Sequence, residues 1–123
     1  MRVAIFGSYS WDNYNDFMRH VTLFIQEAHD LGHDNVSFVH TGKSKLENMA
    51  TEYTGKTHKF LKQKNFKLKE ELFRSKDSKF STLKIVESGI DYALVFSTND
   101  KNSYKCKEIL SAYGIPFSLV ENA

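Results

Sequence analysis

Residues 91–97, DYALVFS, place five apolar or aromatic side chains in succession between an aspartate and a serine, and three further stretches of the chain share this character. RVAIF at 2–6 ends at Gly7, VSFVH spans 36–40, and IPFSLVE occupies 115–121. Runs this short, apolar without alternation and closed by turn-forming residues, read as strands buried on both faces. Between them the apolar period changes. After Asp12 and Asn13, which can cap a helix, Phe17, Val21, Phe24, Ala28 and Leu31 recur at steps of three and four up to Gly32, predicting one helical face over 13–31.

Leu46, Met49, Ala50 and Tyr53 mark a second helix, and THKFL at 57–61 is read as a third strand. A helical stretch follows, broken near Ser75 and resuming through Phe80, Leu83 and Val86 to Gly89; residues 102–114 form a last helix. Strands and helices thus alternate throughout. Parallel strands joined by right-handed helical crossovers are expected, giving one α/β domain over 1–123, a Rossmann-like three-layer sandwich of about five strands. At 123 residues, with one proline and no low-complexity linker, the chain has length for one core.

In sheets of this kind ligands sit beyond the carboxyl ends of the strands. The informative loops are therefore those at 7–11, 40–44 and 97–103. The second contains Gly42-Lys43-Ser44 after a strand, like the end of a phosphate-gripping P-loop. That motif also needs a glycine five residues earlier, and Ser37 stands there inside the strand. What remains is a helix N-terminus with Thr41, Gly42, Lys43 and Ser44 offering hydroxyls, an amide and a cation to an anion. Gly7 and Ser8 offer a tight turn and a hydroxyl. Trp11 is either a base-stacking surface or a hydrophobic staple over the following helix. His40 is open to a polar core role or ligand contact. Glu47 is either a ribose-hydroxyl acceptor or a first-turn carboxylate favoured by the helix dipole. Ser97, Thr98, Asn99, Asn102 and Ser103 form a polar loop suited to phosphate or ribose and equally to turn chemistry.

Composition sets the outer bounds. Hydrophobic residues at 41% argue against disorder, and the apolar start MRVAIF is too short for a signal peptide or membrane span. Cys106 is the one cysteine, which rules out an internal disulfide and reads as a core residue rather than a nucleophile. A reducing, cytoplasmic setting is expected, with no metal and no cofactor. The net charge of +2 conceals an asymmetry: residues 56–84, with Lys56 and Lys84 at the ends, hold ten Lys and Arg against Glu70, Glu71 and Asp77. Phe60 and Phe66 interleave its lysines, as in surfaces that hold single-stranded nucleic acid, although solvated lysines around core aromatics account for the same pattern.

FGSYSW after the first strand, VHTGKSKLENMA after the second and the run KIVESGIDYALVFS together resemble the YspA-like branch of the SLOG superfamily, Rossmann-like proteins related to DprA and to the Lonely Guy enzymes. Gly7-Ser8-Tyr9-Ser10-Trp11 is similar to the branch's Gly-Ser-Arg-x-aromatic. The stretch 40–50 is similar to its His-Gly-Gly-Ala-x-Gly-Ala-Asp-x-x-Ala, which aligns Glu47 with the acidic position. Tyr9 stands in place of Arg, Thr41 and Lys45 in place of glycines, Ser81-Thr82 where an Arg-Asn pair is expected, and the 97–105 loop lacks the Gly-rich pattern. The resemblance implies a binding module for a nucleotide or nucleotide-derived, ADP-ribose-like ligand rather than an enzyme. Alternatives are an N-glycosidic phosphoribohydrolase of the Lonely Guy type with Glu47 as its carboxylate, DprA-like single-stranded DNA binding through 56–84, and a phage-type protein-interaction factor with an empty pocket. Homo-oligomerisation is left open, and membrane association is not expected.

Overall fold

Val3, Ala4, Ile5 and Phe6 are all buried, which only the central strand of a sheet covered on both faces allows. In the computed structural model, which describes residues 1–73 and 81–121, they belong to β1 (Arg2–Gly7). The chain continues through α1 (Tyr14–Asp30), β2 (Asn35–His40), α2 (Lys45–Gln63), β3 (Lys67–Leu72), α3 (Ser81–Glu87), β4 (Tyr92–Ser97), α4 (Lys101–Ala112) and β5 (Phe117–Glu121). The five strands form one parallel sheet in the order β3-β2-β1-β4-β5. The expected α/β sandwich is therefore present. Among the described residues no helix is long and apolar enough to cross a membrane.

Alternation along β1 divides the interior in two. Val3 and Ile5 join Phe17, Phe38, Phe96 and Tyr53 beneath α1 and α2. Ala4 and Phe6 join Val39, Val95, Ile85 and Leu110 beneath α3 and α4. The chain turns from one half of the sheet to the other between β1 and β4, so the switch point lies where the loops after these two strands meet.

Two expectations need correction. The stretch 57–61 is not a strand but belongs to the last turns of α2. Leu61 packs against the core at helical spacing from Tyr53, and Thr57 Oγ1 and His58 Nδ1 both bond to carbonyls four residues back. The third strand is KLKEEL, in which only Leu68 is buried. As an edge strand it has one neighbour, and charged side chains guard such an edge against pairing with other chains. A charged strand has no apolar run to betray it. The second correction concerns α1, whose buried face is Phe17, Val21, Ile25 and Ala28. Phe24 lies on the flank of that arc, half-buried and stacked on Tyr92 with centroids 5.3 Å apart. Leu31 is the C-cap and is 80% exposed. The helix ends before that position turns inward. The expected helical break near Ser75 and the place of Phe80 lie outside the described residues.

The face assignment has a direct consequence for stability. Phe17→Ala should cost roughly 3–5 kcal/mol in denaturant unfolding, because it opens a cavity among Phe96 and Tyr53. Leu31→Ala should stay within about 0.5 kcal/mol of the parent.

Candidate functional site

At the end of β1 the chain turns under a severe steric limit. Gly7 has φ 149°, and a Cβ on it would lie 2.0 Å from the Phe96 carbonyl oxygen. Its lack of a side chain lets β1 and β4 close together, and the next amide, Ser8, donates to that same carbonyl at 2.8 Å. Ser8 is completely buried. Its hydroxyl donates to Asp100 Oδ2 at 2.7 Å and contacts the hydroxyls of Ser10 and Thr98. Four polar side chains thus sew the loops after β1 and β4 together at the switch point. Trp11 is 1% exposed, edge-on to Phe96 at 5.3 Å, with its indole N–H donated to the Asn13 carbonyl. The hydrophobic-staple reading fits this position, and the ring has no free face for a base. Tyr9 between them is 64% exposed.

Asp100 is the residue that sequence reasoning missed. It caps α4: Oδ1 accepts from the Ser103 amide at 3.0 Å and the Ser103 hydroxyl at 2.7 Å, while Oδ2 receives Ser8. Burial alone would raise the carboxyl, but the donors Ser103 and Ser8 together outweigh it and hold it below the ordinary value. The signal was present as Asp followed three residues later by Ser at a helix start. Ser97 and Asn99 settle as turn chemistry, with the Ser97 hydroxyl accepting from the Asn99 amide and Asn99 at φ 62°. Asn102 donates its amide to the Gly7 carbonyl, tying α4 back to β1.

The loop after β2 is built around a carboxylate. Ser44 caps α2, its hydroxyl accepting from the Glu47 amide at 3.1 Å. Glu47 folds back over the loop. Its Oε2 accepts from the Thr41 amide, from the Thr41 hydroxyl at 2.6 Å and from the Gly42 amide at 3.2 Å, and its Oε1 accepts from the Ser44 hydroxyl at 2.9 Å. The amide nest read as an anion site therefore already holds an anion, the chain's own. Gly42 has φ 73°, and a Cβ there would press on the Leu72 side chain at 3.3 Å, so glycine serves the turn. Lys43 is exposed. His40 is fully buried at the end of β2, with Nε2–H donated to Glu70 at 3.0 Å. Its Nδ1 faces Glu47 Oε2 at 4.0 Å and has no hydrogen-bond partner among the described residues.

These loops border a cavity of about 110 Å³ beyond the ends of β1 and β2. Gly7, Tyr9, Thr41, Lys43, Ser44 and Glu47 form one part of its wall; Asn102 and Cys106 of α4 and the first turn of α3 form another, and Ile5, Phe6, Leu46 and Ile85 add apolar surface. Of the expected site residues, Ser8, Trp11, His40, Gly42, Ser97, Thr98, Asn99 and Ser103 do not border it. Burial pushes the Cys106 thiol up to about 11, so it stays protonated and is no nucleophile at neutral pH. None of the described lysines of the basic segment lines this cavity, although Ser81 and Thr82 of that segment do. Of the two aromatics read among its lysines, Phe66 is 1% exposed and Phe60 is 54% exposed. Lys56 pairs with Glu52 at 2.8 Å. No group of three or more His, Cys, Asp or Glu that could hold a metal ion occurs among the described residues.

The Asp100 cap can be tested through pH. Its folded carboxyl titrates below the unfolded 3.8, so its contribution is fully present above that value and is lost as pH falls through the lower folded one. Asp100→Ala should lower stability at neutral pH by about 1 kcal/mol, and denaturation curves of variant and parent should converge in acid.

No protein-family model, no curated protein and no solved structure matches this chain, so what its loops can bind is read from their own geometry.

Proposed function

We propose that the chain is a binding module for a nucleotide-derived small molecule, with the ribosyl part held in the cavity beyond β1 and β2. The observation that carries this reading is the anchored carboxylate of Glu47. Three donors fix its Oε2, while Oε1 takes a single hydrogen bond and keeps acceptor capacity on the cavity wall. A fixed carboxylate with spare lone pairs is an acceptor for the paired hydroxyls of a sugar.

Size supports the same choice. A cavity of about 110 Å³ is well below the roughly 300–1,000 Å³ of sites that enclose drug-sized ligands. It suits a sugar-sized group, with the rest of a nucleotide lying outside. Tyr9, exposed at the cavity wall, supplies the stacking face that Trp11 cannot. Lys43 supplies a cation for a phosphate at the rim, a screened contact because the side chain is exposed. The nest at 41–42 is not the phosphate site, since Glu47 fills it.

The other readings have less support. A hydrolase would use Glu47 to steer a water, and among the described residues the cavity wall offers no second carboxylate or histidine to act with it. Single-stranded DNA binding by stacking loses Phe66 to the core.

Calorimetric titration with ADP-ribose, AMP and ribose 5-phosphate tests the proposal. AMP and ADP-ribose should bind. Tyr9→Ala should weaken both by about tenfold, the lower end of the ~1–3 kcal/mol of a base–aromatic stack, and leave ribose 5-phosphate unchanged. Lys43→Ala should weaken all three by about tenfold or less. Absence of heat with every one of them would reject the nucleotide reading in favour of a protein-interaction role.

A further inference from the structure

A second concavity lies between α1 and α2 and shares no residue with the strand-end cavity. Its volume is about 300 Å³. Ile25 and Phe66, both buried, lie at its base, and Leu61 flanks them. Met18 and Phe60 also line it, yet they are 41% and 54% exposed, so large apolar groups stand in water around an apolar groove. Thr22 and Tyr53 bridge its two walls through a hydroxyl pair 2.9 Å apart.

The polar groups are unevenly placed. α1 and α2 each link neighbouring parallel strands on the same side of the sheet, so they run in the same direction and their C-terminal ends lie together. His29 is in the last turn of α1, edge-on to Phe66 at 5.9 Å, and Lys64 is the C-cap of α2. Both line the groove at that end. Lys64 Nζ lies 4.8 Å over the Phe60 ring and has no carboxylate partner among the described residues. No Asp or Glu among the described residues lines the groove.

The geometry points to a binding site for an organic anion with an apolar body: a medium-chain or aromatic carboxylate, body against Ile25, Leu61 and Phe66, acid group at Lys64. Charge complementarity selects the acid over a neutral or cationic amphiphile, because the one polar end of the groove presents a lysine with no competing acid. The volume, at the lower limit of the roughly 300–1,000 Å³ of enclosed ligand sites, selects a small molecule over a longer peptide helix.

The test uses anilinonaphthalenesulfonate as a fluorescent reporter on the full chain, with decanoate and decyltrimethylammonium as competitors. The reporter should saturate at one equivalent, decanoate should displace it, and the cationic amphiphile should compete about tenfold less well. Lys64→Glu should weaken decanoate about fivefold to tenfold with an unchanged circular dichroism spectrum, since the side chain is exposed. Phe60→Ala should weaken reporter and decanoate alike. Equal competition by the two amphiphiles, or an unaltered Lys64→Glu, would overturn the proposal. So would reporter binding that disappears as the chain dimerises at higher concentration, which would give the groove to a second copy.

Discussion

The carboxylate of Glu47 occupies the space where a Rossmann-like loop would otherwise receive a phosphate. Backbone amides at the start of a helix attract negative charge, and left empty at a strand end they remain available to a ligand. In this chain the Thr41 and Gly42 amides and the Ser44 hydroxyl are spent on a side chain three residues into α2. The shape of the loop, the positive φ of Gly42 and the small size of the neighbouring cavity are all consistent with that internal pairing. A ligand at this end of the sheet meets an acceptor rather than a ring of donors.

The same device appears at the other half of the switch point. Asp100 caps α4 and draws the buried Ser8 hydroxyl to itself, so the loops after β1 and β4 are joined across the crevice by hydrogen bonds. The loops leading into α2 and α4 are thus closed by the carboxylates of Glu47 and Asp100, while Asn13 caps α1. Buried polar groups require partners, and here the partners come from within the chain. Among the described residues the exception is the His40 side-chain Nδ1, which faces Glu47 at 4.0 Å without a bond. Under the proposed function, the binding surface lies away from the switch point, at Tyr9, Lys43 and the Glu47 wall.

Most of the architecture was legible because buried parallel strands must be apolar on both faces. DYALVFS and RVAIF could hardly be anything else, and their order implied the crossovers. β3 was illegible for the opposite reason: an edge strand is protected by charge, so KLKEEL looks like surface, while the aromatic and β-branched THKFL upstream imitates a strand inside a helix. At the site, residue type located the loops but not the direction in which each side chain points. Trp11 and Ser8 are as suited to recognition as Tyr9, and only packing against Phe96 and bonding to Asp100 turn them inward. Glu47 was open to two roles from sequence, ribose acceptor or dipole partner. In the structure both of its oxygens close the loop, through Thr41, Gly42 and Ser44, and the ribose contact is the part we propose.

The central claim is that recognition at the strand ends runs through the Glu47 wall and Tyr9, with the sewn loops as an inert frame. Amide chemical-shift mapping during titration with ADP-ribose addresses it most directly. The account predicts progressive shifts at Tyr9, Thr41, Lys43, Glu47 and Asn102, with Thr98, Asn99 and the Trp11 indole N–H unmoved. Shifts concentrated at Ser8, Thr98 and Asn99, with Glu47 silent, would contradict it and restore the switch-point crevice as the site.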